Sequence, residues 1–234
     1  MSVLLCVLLQ EEFRSDLEQA INNLRALKSY SFRVSHKMDT NMPLGNRDVK
    51  ADGQYVDSKG FYLKGGSIEM FRRDGKTAFE DMNGDWRLVG DKKGSRGQRD
   101  ENEFLAAQAR EPHNEASNFH QDIAELVIED NLQDIGGVDC VVFSGKLTDD
   151  AARKFTAWAD SYGGATRGAK RTGSLKVWID DAYTIRRYEL TTRIDQSGFI
   201  QAFVEVVSDT ELSDLDATTL EPPEKGLALI DGKP

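Results

Sequence analysis

The residues able to do chemistry are few, and their spacing excludes most reactions. The chain of 234 residues has three histidines, His36, His113 and His120. No H-E-x-x-H pattern joins any of them, and His113 and His120 flank a helix start without sharing a regular helix face, so no metal site is expected. Two cysteines, Cys6 and Cys140, allow one disulfide at most, which excludes a disulfide-stapled scaffold and a four-cysteine zinc site. Cys140 lies among Val138, Val141 and Val142 and reads as a buried structural thiol rather than a nucleophile. No G-x-S-x-G elbow, dinucleotide-binding glycine motif or phosphate-binding loop occurs; Gly94-Ser95-Arg96-Gly97 is a short echo outside any βαβ unit. With 40 acids some pair must lie close in space, but a glycosidase is decided by carboxyl separation, which the sequence does not hold. No catalytic residue and no cofactor is expected.

Charge narrows the partners. Thirty basic against 40 acidic side chains leave a net charge of −10, which disfavours a sequence-independent grip on nucleic acid. Two loops run against this trend. One holds Lys92, Lys93, Arg96 and Arg99, the other Arg167, Lys170 and Arg171. Their functional reading is contact with anionic headgroups or a partner protein; the plainer reading, a solvated loop, is favoured. No run of 18 apolar residues is present, so no membrane-spanning helix is expected. Val3 to Leu9 is seven apolar residues in a row, which fits either the end of a signal h-region or an N-terminal segment packed on the domain.

The elements follow from periodicity. Phe13, Leu17, Ala20, Ile21, Leu24 and Leu27 recur at helical spacing and predict an amphipathic helix over 11–28, with Glu11, Glu12 and Asp16 at its start suiting the helix dipole. The period then drops to two: Tyr30, Phe32, Val34, His36 and Met38 alternate with polar residues. Strands are expected at 49–56, 61–64, 67–72, 76–81 and 86–89, separated by Gly65-Gly66, Asp74-Gly75 and Asn83-Gly84 turns. A helix from Asp100 to before Pro112, a second over 118–130, a strand over 138–147 and a helix capped by Thr148 follow. Three strands, 174–179, 184–194 and 199–207, complete the pattern. The tail over 209–234 is acidic and reads as loop, with a last short strand at Leu227–Ile230. The fold class is α+β: about 10–11 antiparallel strands, curling into an incomplete β-barrel, with helices over the concave face. Residues 11–234 read as a single domain, preceded by the segment 1–10.

This order resembles the LolA-like group, which includes periplasmic lipoprotein carriers and the LppX/LprG-type lipoproteins. The resemblance covers about residues 11–210. It rests on the opening helix leading into SYSFRVSHKM, on GGVDCVVFSGKL followed by a helix, and on SLKVWIDDAYTIRRYELTTRID. It implies a non-enzymatic carrier, exported or periplasmic, that holds lipid or lipoprotein acyl chains, with an envelope membrane protein as a further partner and a monomeric state. The family's carrier keeps an arginine in its cavity; Arg33 and Arg47 are the candidates here, with Arg33 on the polar face of its strand.

Each buried CH₂ contributes about 0.8 kcal/mol, so a dry apolar cavity would suffice to hold an acyl chain. The expected lining is Phe32, Val34, Tyr55, Phe61, Leu63, Met70, Phe79, Trp86, Val177, Leu190 and Val204. For any single one of them a filled core is the plainer reading. The alternatives are an envelope sensor or partner-binding domain of the same fold, and a hydrolase whose site forms only in three dimensions.

Overall fold

The computed structural model describes residues 3–41, 47–91, 101–162, 168–196 and 202–232, with side chains from residue 11 onward except at 161–162. The helices are α1 (Val3–Ala26), α2 (Glu101–Gln108), α3 (Pro112–Glu115), α4 (Phe119–Asp122), α5 (Asp149–Phe155) and α6 (Glu224–Asp231). The strands are β1 (Ser29–Thr40), β2 (Arg47–Val56), β3 (Gly60–Gly65), β4 (Ile68–Arg73), β5 (Lys76–Glu80), β6 (Trp86–Leu88), β7 (Ile123–Ile128), β8 (Gln133–Ile135), β9 (Val138–Leu147), β10 (Lys170–Ile179), β11 (Ile185–Gln196) and β12 (Ala202–Ser213). They form a twelve-stranded sheet in the order β6-β5-β4-β3-β2-β1-β12-β11-β10-β9-β7, with β8 paired to β9. The sheet is not closed and the fold is α+β.

The chain divides into two compact units. The first takes Met1–Ala26, Ser35–Asp48 and Pro112–Glu211, the second Leu27–Val34, Val49–Glu111 and Leu212–Pro234.

In the first unit α1 buries Leu17, Ala20, Ile21 and Leu24, the stripe its periodicity predicts. It starts at Val3, so Glu11 and Glu12 sit in its middle and the expected dipole pairing does not apply. The helix expected over 118–130 is corrected. Only α4 is helical, and Ile123 to Ile128 form β7, paired antiparallel with β9. Gly145 permits this pairing: a Cβ there would stand 2.0 Å from the Glu125 carbonyl oxygen. Where α4 stops, Arg14 of α1 donates to the carbonyls of His120, Ile123 and Ala124 at 2.5, 2.9 and 3.0 Å. The His120 carbonyl would otherwise be left over at the end of α4, and those of Ile123 and Ala124 lie at the start of β7. Thr148 caps α5 as expected, its hydroxyl accepting from the Ala151 N–H at 3.2 Å.

In the second unit the hairpins follow the glycine turns, and Gly75 and Gly84 have φ of 73° and 84°. One sheet face carries Phe71 and Ala78, covered by Leu220 and Ile230 of the C-terminal tail. The short strand expected at Leu227–Ile230 is instead the body of α6. Lys76 Nζ donates to the Ile230 carbonyl at 2.8 Å and Lys59 Nζ to that of Leu220 at 3.0 Å, which holds the tail down. Among the described residues no helix is long and apolar enough to cross a membrane.

Candidate ligand-binding faces

In the second unit the face opposite the tail is built from an aromatic run. Tyr30 stacks on Tyr55 with centroids 5.1 Å apart, and Phe32 stacks on Phe61 at 5.6 Å, nearly parallel. Phe32 lies flat over Gly53, where a Cβ would meet the ring at 2.0 Å. The β3–β4–β5 register sets Leu63 beside Met70 and Met70 beside Phe79, on the same face as Phe61. Met70 and Phe79 are wholly covered; Phe32, Phe61 and Leu63 are buried; Val34 and Tyr55 are half-buried. Arg72 spans the edge of this face. It lies over the Phe61 ring and donates to Thr77, Glu111 and the carbonyls of Ala106 and Ala109 at the end of α2.

Trp86 does not join this set. It pairs with Glu80, one residue out of phase with Phe79, so its ring points to the opposite face. There it packs against α6, 2.6 Å from where a Cβ on Gly226 would stand. Its assignment to the same lining as Phe79 is corrected. The error has a simple source: β6 is only three residues long, too short for an alternation to show which face is which.

In the first unit Val177, Leu190 and Val204 share one face. Register places Val177 beside Tyr188, Leu190 beside Leu175 and Ser208, and Val204 beside Ile194. All three are buried, Val177 completely. The face is not purely apolar. Thr192, Ser208 and Thr210 lie on it, all at 6% exposure or less. The Tyr188 hydroxyl donates to Glu115 Oε2 at 2.7 Å, and the Tyr188 ring meets Phe119 edge-on at 5.2 Å. His36 lies exposed on β1. Surrounding protein pushes the His36 pKa below the ordinary histidine value, and the Glu115 charge opposes that shift in part. Glu115, Tyr188 and Ser208 escaped the sequence reading.

Of the basic positions, Lys92, Lys93, Arg96, Arg99 and Arg167 lie outside the described residues. Lys170 is exposed, while Arg171 is ion-paired with Asp160. Arg33 is exposed and paired with Asp52 at 3.0 Å, consistent with its polar-face parity. Cys140 is buried beside Val142 and Trp178, and burial pushes its thiol up to about 11.

No family model matches the chain, and no curated protein matches it. Solved structures do. Lipoprotein LppX from Mycobacterium tuberculosis superposes with a TM-score of 0.52 at 13% identity, over 90% of this chain and 98% of that one. LprF from Mycobacterium bovis gives 0.50 at 16% identity, over 91% and 97%. A LolA superfamily protein from Nitrosomonas europaea covers 88% of this chain at a TM-score of 0.33, too loose a superposition to argue from. The chain has the fold of LppX and LprF, whose order of strands and helices its own order resembles.

Proposed function

We propose that this protein is a non-enzymatic carrier that holds the acyl chains of a lipid or lipoprotein against its apolar sheet faces, outside the cytoplasm. The observation that carries the reading is a fold shared over nine-tenths of the chain with the lipoprotein LppX. The buried apolar faces of the two units agree with it. The contact surface is proposed as Phe32, Val34, Tyr55, Phe61 and Leu63 in the second unit and Leu190 and Val204 in the first. Met70, Phe79 and Val177 lie on the same faces and are wholly covered. Lys92, Lys93, Arg96, Arg99, Arg167 and Lys170 are proposed to meet anionic headgroups or an envelope membrane protein. The carrier acts as a monomer.

Native mass spectrometry with lipid extraction, on protein purified from an envelope-producing host, tests this. The expected result is a co-purifying acylated species near one per chain. A bare mass with no shift on adding diacyl lipid or acylated peptide overturns it and leaves the partner-binding reading.

A further inference from the structure

One arginine of the first unit shares a face with the apolar core. Along β10, positions 171, 173, 175 and 177 alternate onto one side, and Leu175 and Val177 there are wholly buried. Arg171 therefore continues the face of Val177, Leu190 and Val204, while its neighbour Lys170 is exposed. Register sets Arg171 beside Ile194 and Ile194 beside Val204, both buried. Neighbouring strands run about 4.8 Å apart, so the Arg171 backbone stands roughly 10 Å from that of Val204, a position assigned above to the acyl chain.

The Arg171 side chain is 13% exposed, and it pairs with Asp160 in the 3₁₀ helix Ala157–Tyr162 that follows α5. Both terminal nitrogens donate to that carboxylate, Nη1 to Oδ2 at 3.4 Å and Nη2 to Oδ1. The pair is lopsided, because the Asp160 side chain is 59% exposed. A guanidinium stripped of most of its water needs an anion against its forked donors, whereas a carboxylate in water loses little when one ion pair opens. Asp160 thus stands where the oxyanion of a ligand would sit, since a phosphate or carboxylate head offers the same two oxygens. Burial of the ligand's acyl chains on the adjoining apolar face would hold that head in place while Asp160 swings into solvent.

We propose that Arg171 exchanges Asp160 for the oxyanion of an acidic lipid whose acyl chains lie on the apolar face beside Ile194 and Val204. This rests on the carrier reading above and adds the cargo's class: a lipid with a phosphate or carboxylate head, in preference to a neutral one.

Three ligands separate the two claims: phosphatidic acid, the diacylglycerol with the same chains, and inorganic phosphate. Binding to the full chain is read by displacement of a fluorescent acyl probe with an uncharged head. Phosphatidic acid should bind about tenfold tighter than diacylglycerol, the value of one charge-assisted hydrogen bond, and phosphate alone should not displace the probe. Arg171→Gln should bring phosphatidic acid to the diacylglycerol level while diacylglycerol binding holds, which also shows that the variant folds. Asp160→Asn should tighten phosphatidic acid and leave diacylglycerol unchanged. The same charge change in Asp150→Asn, whose partner is Arg153, should not. If Arg171→Gln loses both lipids, Asp160→Asn decides: a gain for phosphatidic acid alone supports the exchange, and no gain overturns it. Equal binding of the two lipids to the unaltered chain, or displacement by phosphate alone, overturns the exchange and leaves the carrier reading intact. No displacement by either lipid overturns both.

Discussion

Single side chains set two properties that a bench can read. Gly53 exists for Phe32: with a methyl at 2.0 Å from the ring, the aromatic run cannot keep its stacking. Gly53→Ala should cost about 1–3 kcal/mol, the usual penalty of overpacking, seen as a lower urea midpoint. Adding Phe32→Leu makes room, so the double variant should lose less than the two single losses combined. His36 gives the second property. Its folded-state pKa lies below that of the unfolded chain, so the unfolded state takes up the proton first. Stability is therefore full above about pH 6.5, the free histidine value, and falls as pH drops through the folded-state pKa. In urea titrations between about pH 5 and 7, His36→Gln should flatten that slope. An unchanged slope would place the titration elsewhere. The same hairpin chemistry also recurs in both units. Asp81 Oδ1 accepts the N–H groups of Asn83 and Asp85, and Asp180 Oδ1 those of Ala182 and Thr184. Each aspartate also faces an arginine six positions on, Arg87 and Arg186. The sequence marks Asp180-Asp181 as a turn but not that one carboxylate oxygen accepts two backbone N–H groups there.

At the level of elements, short segments owe their form to what covers them. Isolated, α6 is an eight-residue helix, below the length that is stable in water. It persists because Ile230 and Leu220 bury against Phe71 and Ala78. Ile230→Ala should cost about 2–4 kcal/mol through the cavity it leaves. It should also raise binding of a dye that reports exposed apolar surface. Lys76→Met removes only the bond to the Ile230 carbonyl and should cost less. Segment 123–128 shows the same dependence. Ile123, Leu126 and Val127 satisfy a helical stripe, and the strand buries Ile123 and Leu126 together only through the irregular register between Ile123 and Glu125, leaving Val127 exposed. The decision came from β9, where Gly145 lets the β7 backbone approach, and from Arg14, which takes up carbonyls at the end of α4 and the start of β7.

For the whole molecule, the carrier reading makes a thermodynamic demand. A ligand that binds only the folded chain stabilises it by about 2.7 kcal/mol at a hundredfold excess over its dissociation constant. For a chain of this size that corresponds to a rise in melting temperature of roughly 5–10 °C. A thermal scan with diacylglycerol should show it, and a scan with a short-chain analogue should not, since each lost CH₂ removes about 0.8 kcal/mol.

The sequence alone determined the class and order of most elements. Alternation in Tyr30, Phe32 and Val34, glycine turns such as Asp74-Gly75, and the α1 stripe are local signals, written within a few residues of each other. It also pointed to the LppX-like arrangement through the order of those elements. Only the tertiary structure decided which face Trp86 joins, that 123–128 is a strand, that the tail ends in a helix, and that Tyr188 donates to Glu115. Those outcomes depend on strand register and on partners far away in the sequence. A one-residue shift in register reverses every face, and no local pattern encodes the shift. The fold was therefore legible where its causes are local. The bond from Tyr188 to Glu115 was not, because its partners lie 73 residues apart on β11 and α3.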